Sequence, residues 1–135
     1  MTSKEQANEL AFRQKESVVY EQIIKDLTEA LSSNLPNTQK DYVIGRASKS
    51  AINAILGQVY LTLGATQTSG SAENFAKAEQ YLNAAYQMRT FGKLNEIPYA
   101  DVFDVTKKNS CKELVFQIQY KQGDQNYSSS IARNY

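Results

Sequence analysis

Residues 48–64 read SKSAINAILGQVYLTLG, and the order of side-chain sizes in this run decides the fold. Ile52, Ile55, Leu56, Val59 and Leu63 recur at the three- and four-residue spacing of one helix face. Ser48 stands ahead of that stripe, where its hydroxyl can accept a bond from an orphan amide of the first turn. Ala51, Ala54 and Gly57 lie three residues apart beside it. Glycine inside a helix costs about 1 kcal/mol relative to alanine, so Gly57 predicts a second helix closer than a larger side chain permits. Gly64 stands where a left-handed C-terminal cap is expected. The spacing predicts a helix over about 48–63.

Working outward, an earlier helix is predicted over about 15–31. Tyr20, Ile23, Ile24, Leu27, Ala30 and Leu31 make its apolar face, and Glu21, Lys25 and Glu29 its charged one. Ser32, Ser33 and Asn34 stop it, and Leu35-Pro36 leaves helical geometry. On the other side, the polar run from Ala65 to Asn74 reads as a flexible connection. A third helix is predicted over about 73–90, with Phe75, Ala78, Leu82, Ala85 and Met88 turned inward and Gly92 closing it. Pro98 and the cluster Tyr99, Val102 and Phe103 read as loop with one helical turn, and 107–110 as a polar turn. Leu114, Phe116 and Ile118 alternate with Val115, Gln117 and Gln119, which predicts a short β-strand over about 113–120. Residues 121–135 are polar and irregular. The expected class is mainly α, built of antiparallel helix pairs with a short C-terminal strand.

The 135 residues suit a single domain, and Ile, Leu, Val and Phe make up about a fifth of them, enough for a lean core. Fifteen cations against fourteen acids give a net charge of +1, without the basic field that draws in nucleic acid. With no histidine, the chain has no Ser–His or Cys–His nucleophile pair and no two-His zinc motif. No cofactor or metal is expected. Cys111 is the single cysteine and reads as a small packed hydrophobe, since no His, second Cys or cationic pocket is apparent near it in sequence. No run reaches the apolar length of a membrane helix, and the start, MTSKEQANEL, lacks the apolar run of a secretory signal. A soluble piece of a longer chain is the expectation. Asp101 and Asp104 read as solvated carboxylates, and no catalytic constellation emerges.

Leu56-Gly57 followed by Tyr60, with Ala78 and Ala85 bracketing Leu82, follows the spacing of a tetratricopeptide repeat. Two departures are plain: no Trp precedes Leu56, and the connection read at 65–74 is too long for that repeat.

The run GRASKSAINAILGQVYLTLG (45–64) resembles the central stretch of the SusD/RagB family of glycan-binding outer-membrane lipoproteins. Three further pieces stand in the matching order. Arg13 with VVYEQIIKDLTEAL (18–31) is similar to the family's first helix, and NFAKAEQYLNAAYQ (74–87) to the helix after its variable loop. YADVFDV followed by KELVFQIQY, within 99–120, is similar to its Tyr–Phe, Glu-hydrophobic-Phe passage. The resemblance implies a tetratricopeptide-like scaffold, an oligosaccharide ligand, a TonB-dependent transporter as partner and a lipid-anchored place at the cell surface. The anchor cysteine and most ligand-bearing loops have no counterpart in these residues. It further implies that Leu56, Gly57, Tyr60, Ala78, Leu82 and Ala85 are scaffold, and that Tyr127 and Asn126 lie near a sugar surface. Aromatic faces stack on sugar rings and amides bond hydroxyls. The competing expectation is a tetratricopeptide-like protein-interaction module that binds no glycan.

Overall fold

In the computed structural model, which describes residues 13–39 and 45–118, the chain is mainly helical. Helix α1 spans Glu16–Ser32, α2 Lys49–Thr66, α3 Ser71–Gln87, and α4 is a single turn, Tyr99–Val102. No strand occurs among the described residues.

Helix α2 is the centre of the molecule because it is buried along most of its length. Its first-turn amides are all satisfied: Lys49 N–H donates to the Pro36 carbonyl at 2.8 Å and Ser50 N–H to that of Asn37 at 2.9 Å. Ala51 N–H donates to Ser48 Oγ at 3.3 Å, so Ser48 is the N-cap its position predicts, and it is fully buried. Ile52, Leu56, Tyr60 and Leu63 of α2 form the core with Ala78 of α3. Tyr20, Ile24, Leu27, Ala30 and Leu31 of α1 pack against that core half-buried, as the spacing of α1 predicts, whereas Ile23, read as part of the same face, is exposed.

Helices α2 and α3 run antiparallel, since their contact positions advance on one helix as they recede on the other. A Cβ on Gly57 would lie 2.6 Å from Leu82 Cγ, and one on Gly64 would lie 2.8 Å from Phe75 Cδ1. Between these two contacts Tyr60 and Tyr81 stack, 5.5 Å apart and 4° from parallel. Both glycines are therefore sites of close approach. Gly64 corrects the sequence reading: it is no left-handed cap but an inner position of a helix that continues to Thr66.

The connection between these helices is also shorter than the sequence suggests. Helix α3 begins at Ser71, so only residues 67–70 join the pair, within the usual length for an αα-hairpin. Gly70 makes the turn at φ 74°, a left-handed conformation, and Ser71 Oγ donates to the Gly64 carbonyl at 2.6 Å. That bond ties the end of α2 to the start of α3, and polar composition alone did not reveal it.

Other expectations shift. Ile55 is exposed, while Tyr60 takes a core place. Phe75 and Leu82 touch α2 through its glycines yet stay 43% and 41% exposed, and Ala78 is the buried residue of α3. Helix α3 ends at Gln87, with Met88 N–H shared between the Ala84 and Ala85 carbonyls, so Gly92 does not close it. The β-strand predicted over 113–120 is not formed in its described part. Residues 113–118 are turn, bend and irregular backbone, because no neighbouring described segment supplies a ladder. Gln117 instead uses its side-chain amide, donating to the Lys108 carbonyl at 3.2 Å.

Candidate functional site

A concave feature gathers around the C-terminal end of α3. Past Met88 the chain leaves the helix as Arg89, Thr90 and Phe91, and Thr90 Oγ1 donates to the Lys112 carbonyl at 2.8 Å. This bond crosses 22 positions of sequence and brings the 107–112 turn alongside the helix end. The turn is closed by Ser110 and Cys111, whose amides donate to the Lys107 carbonyl at 2.9 and 3.1 Å. On the third side, the segment after Pro36 is strapped to the start of α2, and Gln39 Nε2 donates to the Arg46 carbonyl.

These three segments enclose a cavity of about 270 Å³. That is near the small end of ligand pockets, room for one small ring more than for a long ligand. Ala85, Met88, Phe91, Leu114 and Val115 supply an apolar lining. Thr38, Gln39, Ser50, Asn109, Ser110 and Gln117 contribute polar groups, and Arg89, Lys108 and Lys112 are its cations. No Asp or Glu lines it among the described residues.

Arg89 is held rather than free to swing. Its guanidinium carbon sits 3.9 Å over the Tyr86 ring, and Nη1 donates to the Tyr86 carbonyl at 3.0 Å. Its Nε is buried and has no hydrogen-bond partner among the described residues, which carries a desolvation cost. The Glu113 carboxylate, next in sequence to Lys112, also has a buried oxygen, Oε1, without a partner among the described residues, but Glu113 does not line the cavity.

Cys111 lines this cavity as a half-buried free thiol, with Lys108 and Lys112 of its own turn and Arg89 from the end of α3 in the same lining, which corrects the reading that no cationic pocket lies near it. No group of three His, Cys, Asp or Glu that could hold a metal occurs among the described residues. The arrangement suits recognition of a ligand.

Acidic chemistry elsewhere is structural. Lys107 Nζ pairs with Asp101 Oδ1 at 2.7 Å, and that bond raises the Lys107 pKa. Asp104 Oδ1 accepts from Thr106 Oγ1 at 2.7 Å and from Thr106 N–H at 2.8 Å, and these two bonds lower its pKa. The two aspartates are thus engaged by separate positioned partners, which their reading as simply solvated carboxylates left out.

The proposed sugar contacts Tyr127 and Asn126 lie outside the described residues. The scaffold set is brought together: Leu56, Gly57 and Tyr60 face Ala78 and Leu82 across the α2–α3 seam, while Ala85 reaches the cavity. The sequence reading missed Arg89, Lys112, Gln39 and Phe91 as cavity residues. One signal was available: residues 107–112, KKNSCK, hold three lysines and no acid. Compared with family models, curated proteins and solved structures, the chain matches none. No helix among the described residues is long and apolar enough to cross a membrane.

Proposed function

We propose that this chain belongs to a SusD/RagB-like protein that captures an oligosaccharide without cleaving it and works with a TonB-dependent transporter at the outer membrane. The observation that carries the reading is the order of four family-like stretches along 13–120, whose central one includes Gly57 and Gly64 at the helix seam. In this reading α2 and α3 are one tetratricopeptide-like unit of a larger scaffold. The alternating run at 113–120 then pairs with a strand from further sequence, Tyr127 and Asn126 lie on a ligand loop, and a lipid anchor belongs to the longer protein. The cavity, with apolar walls and several amide and hydroxyl groups, has the composition that a sugar ring requires.

Affinity electrophoresis of the 135-residue chain through gels cast with a panel of polysaccharides tests this. Retarded migration in at least one glycan is expected. Unretarded migration of the folded chain in all of them refutes it. A second reading, a protein-interaction module, has its own observation in Val18, Val19 and Ile23, which are exposed on α1. Retardation by a glycan decides against that one.

A further inference from the structure

We infer that the cavity at the end of α3 selects an acidic sugar, a ring bearing a carboxylate such as a uronic acid, over its neutral counterpart. The inference rests on the glycan reading above and names the ligand class. Three cations line the cavity and no carboxylate does, among the described residues. An ion-pair partner on the protein is the usual way to quiet a half-buried guanidinium, and Arg89 has none among the described residues. Its ring contact and its bond to the Tyr86 carbonyl fix the plane of the guanidinium in advance, at the wall of the cavity. A planar, pre-oriented guanidinium edge fits a carboxylate better than it fits a single hydroxyl. Lys112 adds charge from the turn, and Met88 and Phe91 offer an apolar face for the C–H side of the ring. The start of α2 does not compete for the anion, because backbone carbonyls and Ser48 already occupy its first amides.

The test is calorimetric titration of the 135-residue chain with trigalacturonate, its methyl ester, maltotriose and citrate. Trigalacturonate is expected to bind at least about tenfold more tightly than the ester, the usual scale for a charge-assisted pair. Arg89→Gln should lose about that factor, and Lys77→Gln, which does not line the cavity, should lose none. Bound trigalacturonate should also slow alkylation of Cys111 by iodoacetamide. If Arg89→Gln fails to fold, Lys112→Gln, on an exposed residue, must still weaken the acid selectively. Equal affinity for acid and ester overturns the inference while the glycan reading stands. Glycan binding that neither protects Cys111 nor responds to either variant does the same. Binding of citrate alone overturns it by showing an anion site without sugar recognition. No binding of any of the four also overturns it, and gel retardation by a neutral polysaccharide then decides separately whether the glycan reading survives.

Discussion

Replacing Gly57 by alanine should destabilise this chain, against the intrinsic preference of a helix for alanine. In a helix with an open flank the exchange would gain about 1 kcal/mol. Here the added Cβ would lie 2.6 Å from Leu82 Cγ, 2.7 Å from Cδ2 and 3.2 Å from the Leu82 backbone nitrogen. The first two distances are well inside van der Waals contact, and Cγ is a branch point near the backbone. Relief therefore needs Leu82 to leave its rotamer or the helices to part. Overpacking of this kind costs about 1–3 kcal/mol, which outweighs the propensity gain and leaves a net loss of order 1 kcal/mol. For a chain of this length that is a melting shift of roughly 3–5 °C downward. Urea denaturation followed by circular dichroism, on wild type, Gly57→Ala, Leu82→Ala and the double variant, isolates the cause. With Leu82 cut back to alanine the two closest atoms are gone while the 3.2 Å contact with the backbone nitrogen stays, so Gly57→Ala should cost clearly less than in the wild-type background. The coupling between the two sites should be about 1–3 kcal/mol. If Gly57→Ala stabilises both backgrounds equally, α2 and α3 do not approach as described and the reasoning fails.

Three further outcomes follow from the same contacts. Ser48→Ala removes a fully buried cap that also lies 3.1 Å from Ser50 Oγ, and should cost about 1–2 kcal/mol in the same denaturation assay. Tyr81→Ala should lose the stack on Tyr60, about 0.5–1.5 kcal/mol beyond the area it buries, whereas Tyr81→Phe keeps most of it. Asp104 should titrate by NMR below the usual Asp value. Its folded-state pKa is lowered, so the charged form is favoured above the unfolded pKa, and that preference disappears as pH falls through the folded one. Thr106→Val should bring the Asp104 titration back toward the ordinary value, and an unchanged titration would remove Thr106 as the cause.

Much of the helical framework was legible because helix periodicity and glycine cost act locally. Ser48, Gly57 and the α1 stripe each declare themselves within a few residues. The errors are equally physical. At 100° per residue, Ile55 lies roughly 60° to one side of Ile52 on α2, while Tyr60 and Gly57 lie roughly 80° and 140° to the other. Apolar counting centres the face near Ile52, but α3 approaches over the glycines and turns the buried arc toward Tyr60, leaving Ile55 outside. The same closeness explains Gly64, where sequence position suggests a cap and the Phe75 ring requires a missing side chain. The strand failed for a different reason: alternation describes one edge, whereas a strand exists only with its partner.

The cavity was illegible because nothing local encodes it. It is assembled from residues 38–39, from the end of α3 and from 108–117, and what joins them is a set of single bonds between distant positions. Thr90 to Lys112, Gln117 to Lys108 and Lys49 to Pro36 are such bonds, and none leaves a periodic trace in sequence. The charge pattern is different, because it does carry information once the cavity is known. Cations and acids are almost equal in number along the chain, so a lining with three cations and no acid among the described residues reflects the local run KKNSCK and the placing of Arg89 beside it, not overall composition. Of the acids in the same stretch of chain, Asp101 pairs with Lys107, Asp104 accepts from Thr106, and Glu113 does not line the cavity. Asp101 and Asp104 are thus taken up by their own neighbours, while the Tyr86 ring and carbonyl hold the Arg89 guanidinium in place. A cation held in place by a ring and a carbonyl, with no ion-pair partner among the described residues, is better explained by an external anion than by stability, since stability alone would favour pairing it or exposing it.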